Sequence, residues 1–154
     1  MLLRWLMSPR GLAFDRWLVR VSGHSLLNRV FARQAGMQAR PALLLETTGR
    51  RSGEPRQVAL PYFELDGLLL VVGSKGGMPD DPFWVHNLRA NPDVRICLKR
   101  RWESRQARIA TAEERARLWP QLVATTPTYA GYAERAQGHR EIPVVILGRR
   151  QQDR

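Results

Sequence analysis

Apolar residues recur at helical spacing through the first quarter of the chain and at strand spacing through most of the rest. Phe14, Trp17, Leu18 and Val21 fall at i, i+3, i+4 and i+7, with Arg16 and Arg20 outside the stripe, which predicts an amphipathic helix. Ser22-Gly23-His24-Ser25 interrupts it, and Ser25 is placed to cap a second helix carrying Leu26, Leu27, Val30 and Phe31 beside Asn28, Arg29 and Arg33. Residues 1–38 are therefore expected to be helical in two pieces. From Pro41 the period changes: Pro41–Thr47 and Gln57–Leu65 read as strands, and Asp66-Gly67 is a two-residue hairpin signal joining Tyr62–Leu65 to Leu68–Gly73. A short helix is expected near Phe83–Ala90, stopped by Asn91-Pro92-Asp93. Val94–Lys99 and Trp102–Ala110 read as an antiparallel pair. Thr111 and Glu114 have the spacing of a capping box. The helix they open collects Ala116, Leu118, Trp119, Leu122 and Val123 largely on one side and ends at Pro127. A tyrosine-bearing segment, Thr128–Gln137, follows, and Ile142–Leu147 reads as a buried strand. Six short strands with helices at the start, middle and near the end predict an α+β fold, a small barrel with helical additions. Periodicity alone does not name the barrel.

Charge narrows the partners. Twenty-five Lys+Arg against fourteen Asp+Glu in 154 residues give a net charge of +11, which favours an anionic partner. The basic cluster Lys99-Arg100-Arg101 before Trp102 reads as a solvated hairpin edge, and no strand interleaves aromatics to stack bases, so nucleic acid is not expected. No apolar run approaches the ~20 residues of a membrane-spanning helix, and the N-terminus does not read as a signal peptide. An arginine-rich amphipathic start with Trp5 and Trp17 suits either an anionic membrane surface or packing against the domain or a second subunit. The single cysteine, Cys97, alternates with strand residues and reads as structural. His24, His86 and His139 are far apart without carboxylate or thiol at ligand spacing, so no metal site is expected.

Two polar, glycine-containing loops remain. Thr47–Arg56 holds Gly49, Gly53, Arg50, Arg51, Arg56 and Ser52 between apolar runs, and Gly73-Ser74-Lys75-Gly76-Gly77 directly follows a buried strand. Forked guanidinium donors and free backbone amides suit a ligand with several negative charges, although a plain solvated turn has the same composition. The two loops form an anion cradle with no nucleophile or base of its own, which implies that a cofactor brings the reactivity.

The blocks Thr-Thr-Gly-Arg-Arg-Ser-Gly-x-Pro-Arg (47–56), Ser-Lys-Gly-Gly (74–77) and Pro-x-Trp-x-x-Asn-Leu-x-Ala-Asn-Pro (82–92) occur in order. They are followed by Glu-Glu-Arg-Ala-Arg-Leu-Trp (113–119), Pro-x-Tyr-x-x-Tyr (127–132) and Arg-x-Ile-Pro-Val-Val (140–145). Together they resemble the deazaflavin (F420)-dependent nitroreductase family, over about residues 38–148. The resemblance implies an FMN-binding-like split β-barrel and hydride transfer from F420H2 to an electrophilic acceptor such as a quinone or nitroaromatic. It divides the chain into a helical segment 1–37, a cofactor-binding barrel 38–148 and a basic tail 149–154. It implies that Arg50, Arg51, Ser52 and Arg56, with Lys75, hold the phosphate and acidic tail of F420. Gly73, Ser74 and Gly76, with Leu60 and Pro61, would line the deazaflavin ring, and Trp84 and Asn87 would pack and hydrogen-bond beside it. Tyr129 and Tyr132 would face the substrate, although two tyrosines at an amphipathic boundary fit the same spacing. Pro61 departs from relatives that carry an aromatic residue there. FMN is the alternative cofactor, since an arginine-rich loop suits any phosphate. A homodimer is compatible with the resemblance. The expected location is cytoplasmic, with peripheral contact on the inner face of the membrane as a variant.

Overall fold

The structure, a computed structural model, describes residues 1–150. Helices α1 (Leu2–Leu6), α2 (Pro9–Ser22) and α3 (Leu26–Gln34) lead into strands β1 (Ala42–Thr48), β2 (Pro55–Pro61), β3 (Phe63–Leu65) and β4 (Leu68–Val72). Helix α4 (Phe83–Ala90), strands β5 (Asp93–Leu98) and β6 (Arg101–Ile109), helices α5 (Ala112–Thr125) and α6 (Thr128–Ala136) and strand β7 (Val144–Arg149) follow. Asp66 and Gly67 both take positive φ, 52° and 73°, as a two-residue hairpin turn requires. Thr111 and Glu114 form the capping box that opens α5.

The sheet order is β2-β1-β5-β6-β7-β4-β3, with every pairing antiparallel. The two outermost strands, β2 and β3, are separated in the chain by Tyr62 alone. The sheet therefore closes on itself at that corner as a barrel, its edges joined by the chain and not by a β2–β3 ladder. This is why the stretch expected as one strand, Gln57–Leu65, is two: Tyr62 carries the chain from one sheet edge to the other, so seven strands stand where six were expected.

Inward-facing residues of the strands, among them Leu43, Leu45, Val71, Ile96, Val145 and Leu147, fill the barrel, and Trp84, Val85 and Leu88 of α4 pack into the same core. Outside, Phe63, Leu70, Val72, Val144 and Ile146 pack against Leu118 and Leu122 of α5 and Tyr129 of α6. Another outer patch, Ala42, Leu44 and Cys97, receives Val19 of α2. Cys97 is thus a core residue, and burial pushes its thiol pKa up. The strands alternate between these clusters because a strand presents successive side chains to opposite faces.

The N-terminal segment differs from its expectation in its helix count. It forms three helices, because Pro9 opens α2 at a position that needs no N–H and Ser8 caps it. Of the settings left open for the apolar stripe, packing on the domain is not the one seen: α2 buries Gly11, Asp15 and Val19, while Phe14, Trp17 and Val21 are exposed. Gly11 dictates this choice, since a Cβ there would lie 2.1 Å from the Trp5 carbonyl oxygen, so only glycine lets α1 cross at that point. Buried Asp15 is the other reason. Its carboxylate accepts from Ser25 Oγ at 2.6 Å and from the Leu26 and Leu27 amides at 2.7 and 3.1 Å, holding the start of α3. At the other terminus Arg149 ends β7 and Arg150 pairs with Asp93 at 2.9 Å, while the rest of the basic tail lies outside the described residues.

Candidate active site

The first polar loop joins β1 to β2 and is shaped by its own backbone. Gly49 N–H donates to the Glu54 carbonyl and Gly53 N–H to the Gly49 carbonyl, each at 2.8 Å. Ser52 Oγ accepts from the Glu54 amide at 3.1 Å and, at the long limit of 3.5 Å, from Arg56. Asn87 pins the loop to the barrel: its Oδ1 accepts from Arg50 N–H at 3.0 Å and its Nδ2 donates to Thr47 Oγ1 at 3.1 Å. Asn87 therefore acts on this loop as a brace from α4. Arg50, Arg51 and Arg56 have exposed side chains and no carboxylate partner among the described residues, a concentration of uncompensated positive charge. With Ser52, Phe83 and Asn87 they line one cavity.

The second loop is held from behind by arginines that sequence reasoning did not assign. Arg140 is 9% exposed and donates to the carbonyls of Gly73, Ser74 and Met78 at 2.9, 2.8 and 2.8 Å, and to Asp81 at 2.8 Å. Arg135 donates to the Gly76 carbonyl at 2.8 Å. Gly77 permits the loop to touch α6, since a Cβ there would lie 2.5 Å from the Tyr132 carbonyl. With its carbonyls occupied, the loop turns Ser74, Lys75 and Gly76 toward open space. Gly73 is different: its N–H donates to Pro143, a Cβ would strike Pro143 at 2.8 Å, and it lines no cavity of the site.

Three cavities adjoin one another through shared lining residues. The arginine cavity shares Phe83 with a second of about 400 Å³, lined by Val58, Leu60, Pro61, Ser74, Lys75 and Trp84 among others. That one shares Pro61, Ser74 and Tyr129 with a third of about 360 Å³, walled by α3 and α6 and including Phe31, Arg40, Phe63 and Tyr132. The sequence of environments is cationic, then apolar with a polar edge, then apolar with two phenols.

Tyr129 and Tyr132 lie on one side of α6, ring centroids 6.3 Å apart, and both line the third cavity. Tyr129 is buried between Phe63 and Trp119, with centroids at 5.9 and 6.2 Å. Burial raises its pKa well above the ordinary phenol value, and the field of Arg40 opposes that rise. At neutral pH Tyr129 is a protonated phenol, a hydrogen-bond donor rather than a base. Trp84 is a core side chain whose edge reaches the middle cavity.

Of the sequence-nominated residues, Leu60, Pro61, Ser74, Lys75, Gly76, Tyr129 and Tyr132 converge on the middle and third cavities. Arg50, Arg51, Ser52, Arg56 and Asn87 gather at the first. The residues missed are Phe83 at the first junction, Arg140 as brace, and Asn28, Phe31 and Arg40 from the N-terminal side. Arg140 carried a signal, since it opens the 140–145 block; the N-terminal residues carried none, because they come from outside the barrel.

No group of three or more His, Cys, Asp or Glu among the described residues is placed to hold a metal ion. Among the described residues no helix is long and apolar enough to cross a membrane.

Residues 25–149 match the family model described as F420H(2)-dependent quinone reductase. The chain is 39% identical to the F420H(2)-dependent quinone reductase Rv1261c of Mycobacterium tuberculosis, over 88% of this chain and 98% of that protein. It is also 39% identical to a solved F420-H2 dependent reductase, FDR-A, with a TM-score of 0.61 over 70% of this chain and 94% of that one. A second solved structure, described as a domain-swapped dimer, is 36% identical with a TM-score of 0.61, covering 77% and 91% of the two chains. Neighbours of this type are split-barrel proteins, in agreement with the closed sheet derived above.

Proposed function

The chain belongs to the F420H(2)-dependent quinone reductase family, and on that premise we propose that it binds F420 across the first two cavities and reduces a quinone-type acceptor in the third. The observation that carries this reading is the row of neighbouring cavities, which share Phe83 and then Pro61, Ser74 and Tyr129 as lining residues. It suits a long ligand with an anionic tail and a planar head.

The residues present fit F420. Arg50, Arg51 and Arg56 lack carboxylate partners among the described residues, so they are free to take a phosphate or carboxylate tail bidentately. Leu60, Pro61 and Trp84 offer an apolar bed for a ring system, edged by Ser74 and Lys75. When bound, F420H2 supplies hydride chemistry. The protein's own part is orientation and electrostatics. Arg140 fixes the Ser74–Gly76 loop, which serves both the middle and third cavities. Tyr129 offers its hydroxyl proton as a hydrogen bond to an acceptor oxygen, and Phe31 and Phe63 give that acceptor apolar walls. Nitroaromatics fit the same cavity as incidental acceptors.

The direct test mixes purified protein with F420H2 and menadione and follows F420H2 oxidation, with F420 fluorescence titration alongside. Turnover with F420 binding is expected; neither turnover over a quinone and nitroaromatic panel nor F420 binding would overturn the reading. A yellow protein as purified, with flavin absorbance, would instead favour FMN.

Two finer points belong to the same proposal. The exposed Trp5, Phe14 and Trp17 form a chain of ring contacts at 5.7 and 5.9 Å among Arg4, Arg10, Arg16 and Arg20. This supports peripheral contact with an anionic lipid surface, tested by co-sedimentation of Trp17→Glu with vesicles containing phosphatidylglycerol. The relative solved as a domain-swapped dimer supports self-association, tested by light scattering.

A further inference from the structure

Arg40 is the only charged side chain among the residues that line the third cavity. It enters from the extended stretch between α3 and β1, and its guanidinium lies 4.3 Å from the centroid of the Phe63 ring. Its one hydrogen bond runs from Nε to the Tyr62 carbonyl at 3.4 Å, near the limit of such contacts. Among the described residues no carboxylate pairs with it, and its two terminal nitrogens have no acceptor. A guanidinium so placed, beside apolar walls, keeps most of its capacity for an anion.

The α3 wall of the same cavity holds a second unspent group. Asn28 Nδ2 is buried with no hydrogen-bond partner, the one such side-chain atom among the described residues. Asn28 also lines the cavity. Its position is set from below: Ser25 Oγ accepts from the Asn28 amide at 3.0 Å, and Ser25 is itself held by buried Asp15 at 2.6 Å. An orphaned buried donor is unfavourable unless something accepts from it, and a small turn of the Asn28 side chain into the cavity it lines gives it a ligand oxygen as partner.

We propose that Arg40 and Asn28 are the acceptor-binding pair of the third cavity and select planar acceptors that become anionic on reduction, quinones above all. This rests on the reductase reading given above. A quinone that takes up a hydride gains two electrons and one hydrogen, so one of its oxygens carries a negative charge until it takes a proton from water. The hydride comes from F420H2, which gives up a proton as it is oxidised, so two electrons and two protons balance overall. The charge that develops on the quinone oxygen is what Arg40 stabilises, while Asn28 and Tyr129 donate to the acceptor oxygens. Acceptors that gain no oxyanion forgo this stabilisation.

Two naphthoquinones of similar shape separate this role from simple packing on Phe63. Menadione is neutral, and 2-hydroxy-1,4-naphthoquinone is an anion at neutral pH that mimics the charge of the reduced product. Their binding to the full chain is read by quenching of tryptophan fluorescence, since Trp119 stacks on Tyr129 at 6.2 Å. Arg40→Gln is expected to weaken the anion about 10-fold or more, the loss of a charge-assisted contact, and menadione by less than about 3-fold. Arg40→Lys should keep most of the preference, and Asn28→Asp, which sets a like charge in the cavity, should weaken the anion selectively. Equal losses for both ligands, or none in any variant, overturn the proposal. F420 affinity, titrated separately, should match the wild type in all three variants. A wild type that binds no F420 sinks the reductase reading alone, because the anion preference is measured without cofactor.

Discussion

The two ends of the cavity series are built on opposite principles. The arginine end is local: ten consecutive residues, Thr47–Arg56, fold back on their own amides and are pinned by Asn87 alone. Its cations stand in solvent, where each contact to an anion is weak and several are needed. The acceptor end is tertiary. Asn28, Arg40, Pro61, Ser74 and Tyr129 come from five separate stretches and meet in a largely apolar cavity. There Arg40 is half-buried and Tyr129 buried, so each is screened less by water than the exposed arginines are. A tail that only needs holding tolerates exposed cations; an oxygen that must take on charge gains more from partly buried ones. The difference predicts that the arginine end sets affinity for the cofactor and the acceptor end sets which substrate is reduced.

The largest expected effect comes from the element both ends depend on. Arg140 supports Gly73 and Ser74, and Ser74 lines both the middle and third cavities. Arg140→Ala removes the donor of the Gly73 and Met78 carbonyls, while Asp81 keeps Arg89 and the Ser74 carbonyl keeps the Gly77 N–H, in a pair whose side chains are 9% and 10% exposed. A loss of about 2 kcal/mol of stability is expected, about 4–8 °C in melting temperature for a domain of this size. F420 affinity and acceptor turnover should fall together. If only one fell, the two ends would not share this brace.

Next come the arginines themselves. Arg51→Ala or Arg56→Ala should weaken F420 binding about 10-fold, the loss of one charge-assisted contact, and leave acceptor preference where it was. The titration should also show salt sensitivity that falls in the variants, because these side chains are exposed. Movement in the ratio of kcat/KM for menadione over a nitroaromatic, with unchanged F420 affinity, would break the division of labour.

Tyr129→Phe makes the converse cut. The ring stays between Phe63 and Trp119, so packing is kept and only the hydroxyl goes. A fall of about 5-fold in kcat with menadione is expected, from about 1 kcal/mol of lost hydrogen bonding, with F420 affinity unchanged. An unaltered kcat would make Tyr129 a packing residue only.

The same contrast explains what was legible in the sequence. Local signals came through: the Asp66-Gly67 turn, the Thr111–Glu114 capping box and the bounds of α4 all follow from neighbouring residues. The arginine loop came through for the same reason. The acceptor end did not, because nothing in the neighbourhood of Asn28 or Arg40 says that α3 will stand across the barrel mouth from α6. The outward turn of Phe14 and Trp17 was hidden too. Their spacing fits burial perfectly well, and only the close crossing at Gly11 and the buried Asp15 cap choose the other face. Tyr62 likewise looked like mid-strand; that it passes between the two sheet edges is a property of closure, not of local pattern.

The smallest expected effect serves as a reference point away from both ends. Glu114 closes the capping box on Thr111 and accepts two hydrogen bonds from Arg108, at 2.6 and 2.8 Å. The Arg108 contact, then the Thr111 amide, lower its pKa from 4.5 to about 2. A carboxylate whose folded pKa lies below its unfolded value contributes stability that is fully present above about 4.5 and disappears as pH falls toward 2. Glu114→Gln should therefore lower the melting temperature slightly at pH 7, by the ~1 kcal/mol or less of an exposed cap and ion pair. The gap between variant and wild type should close on acidification through that window. F420 affinity and acceptor preference should both stay at wild-type values, since Glu114 lines none of the three cavities. If Glu114→Gln shifted either one, long-range loosening of the barrel would be enough to move ligand binding. The separate responses expected of Arg51, Arg56 and Tyr129 would then lose their meaning as local effects.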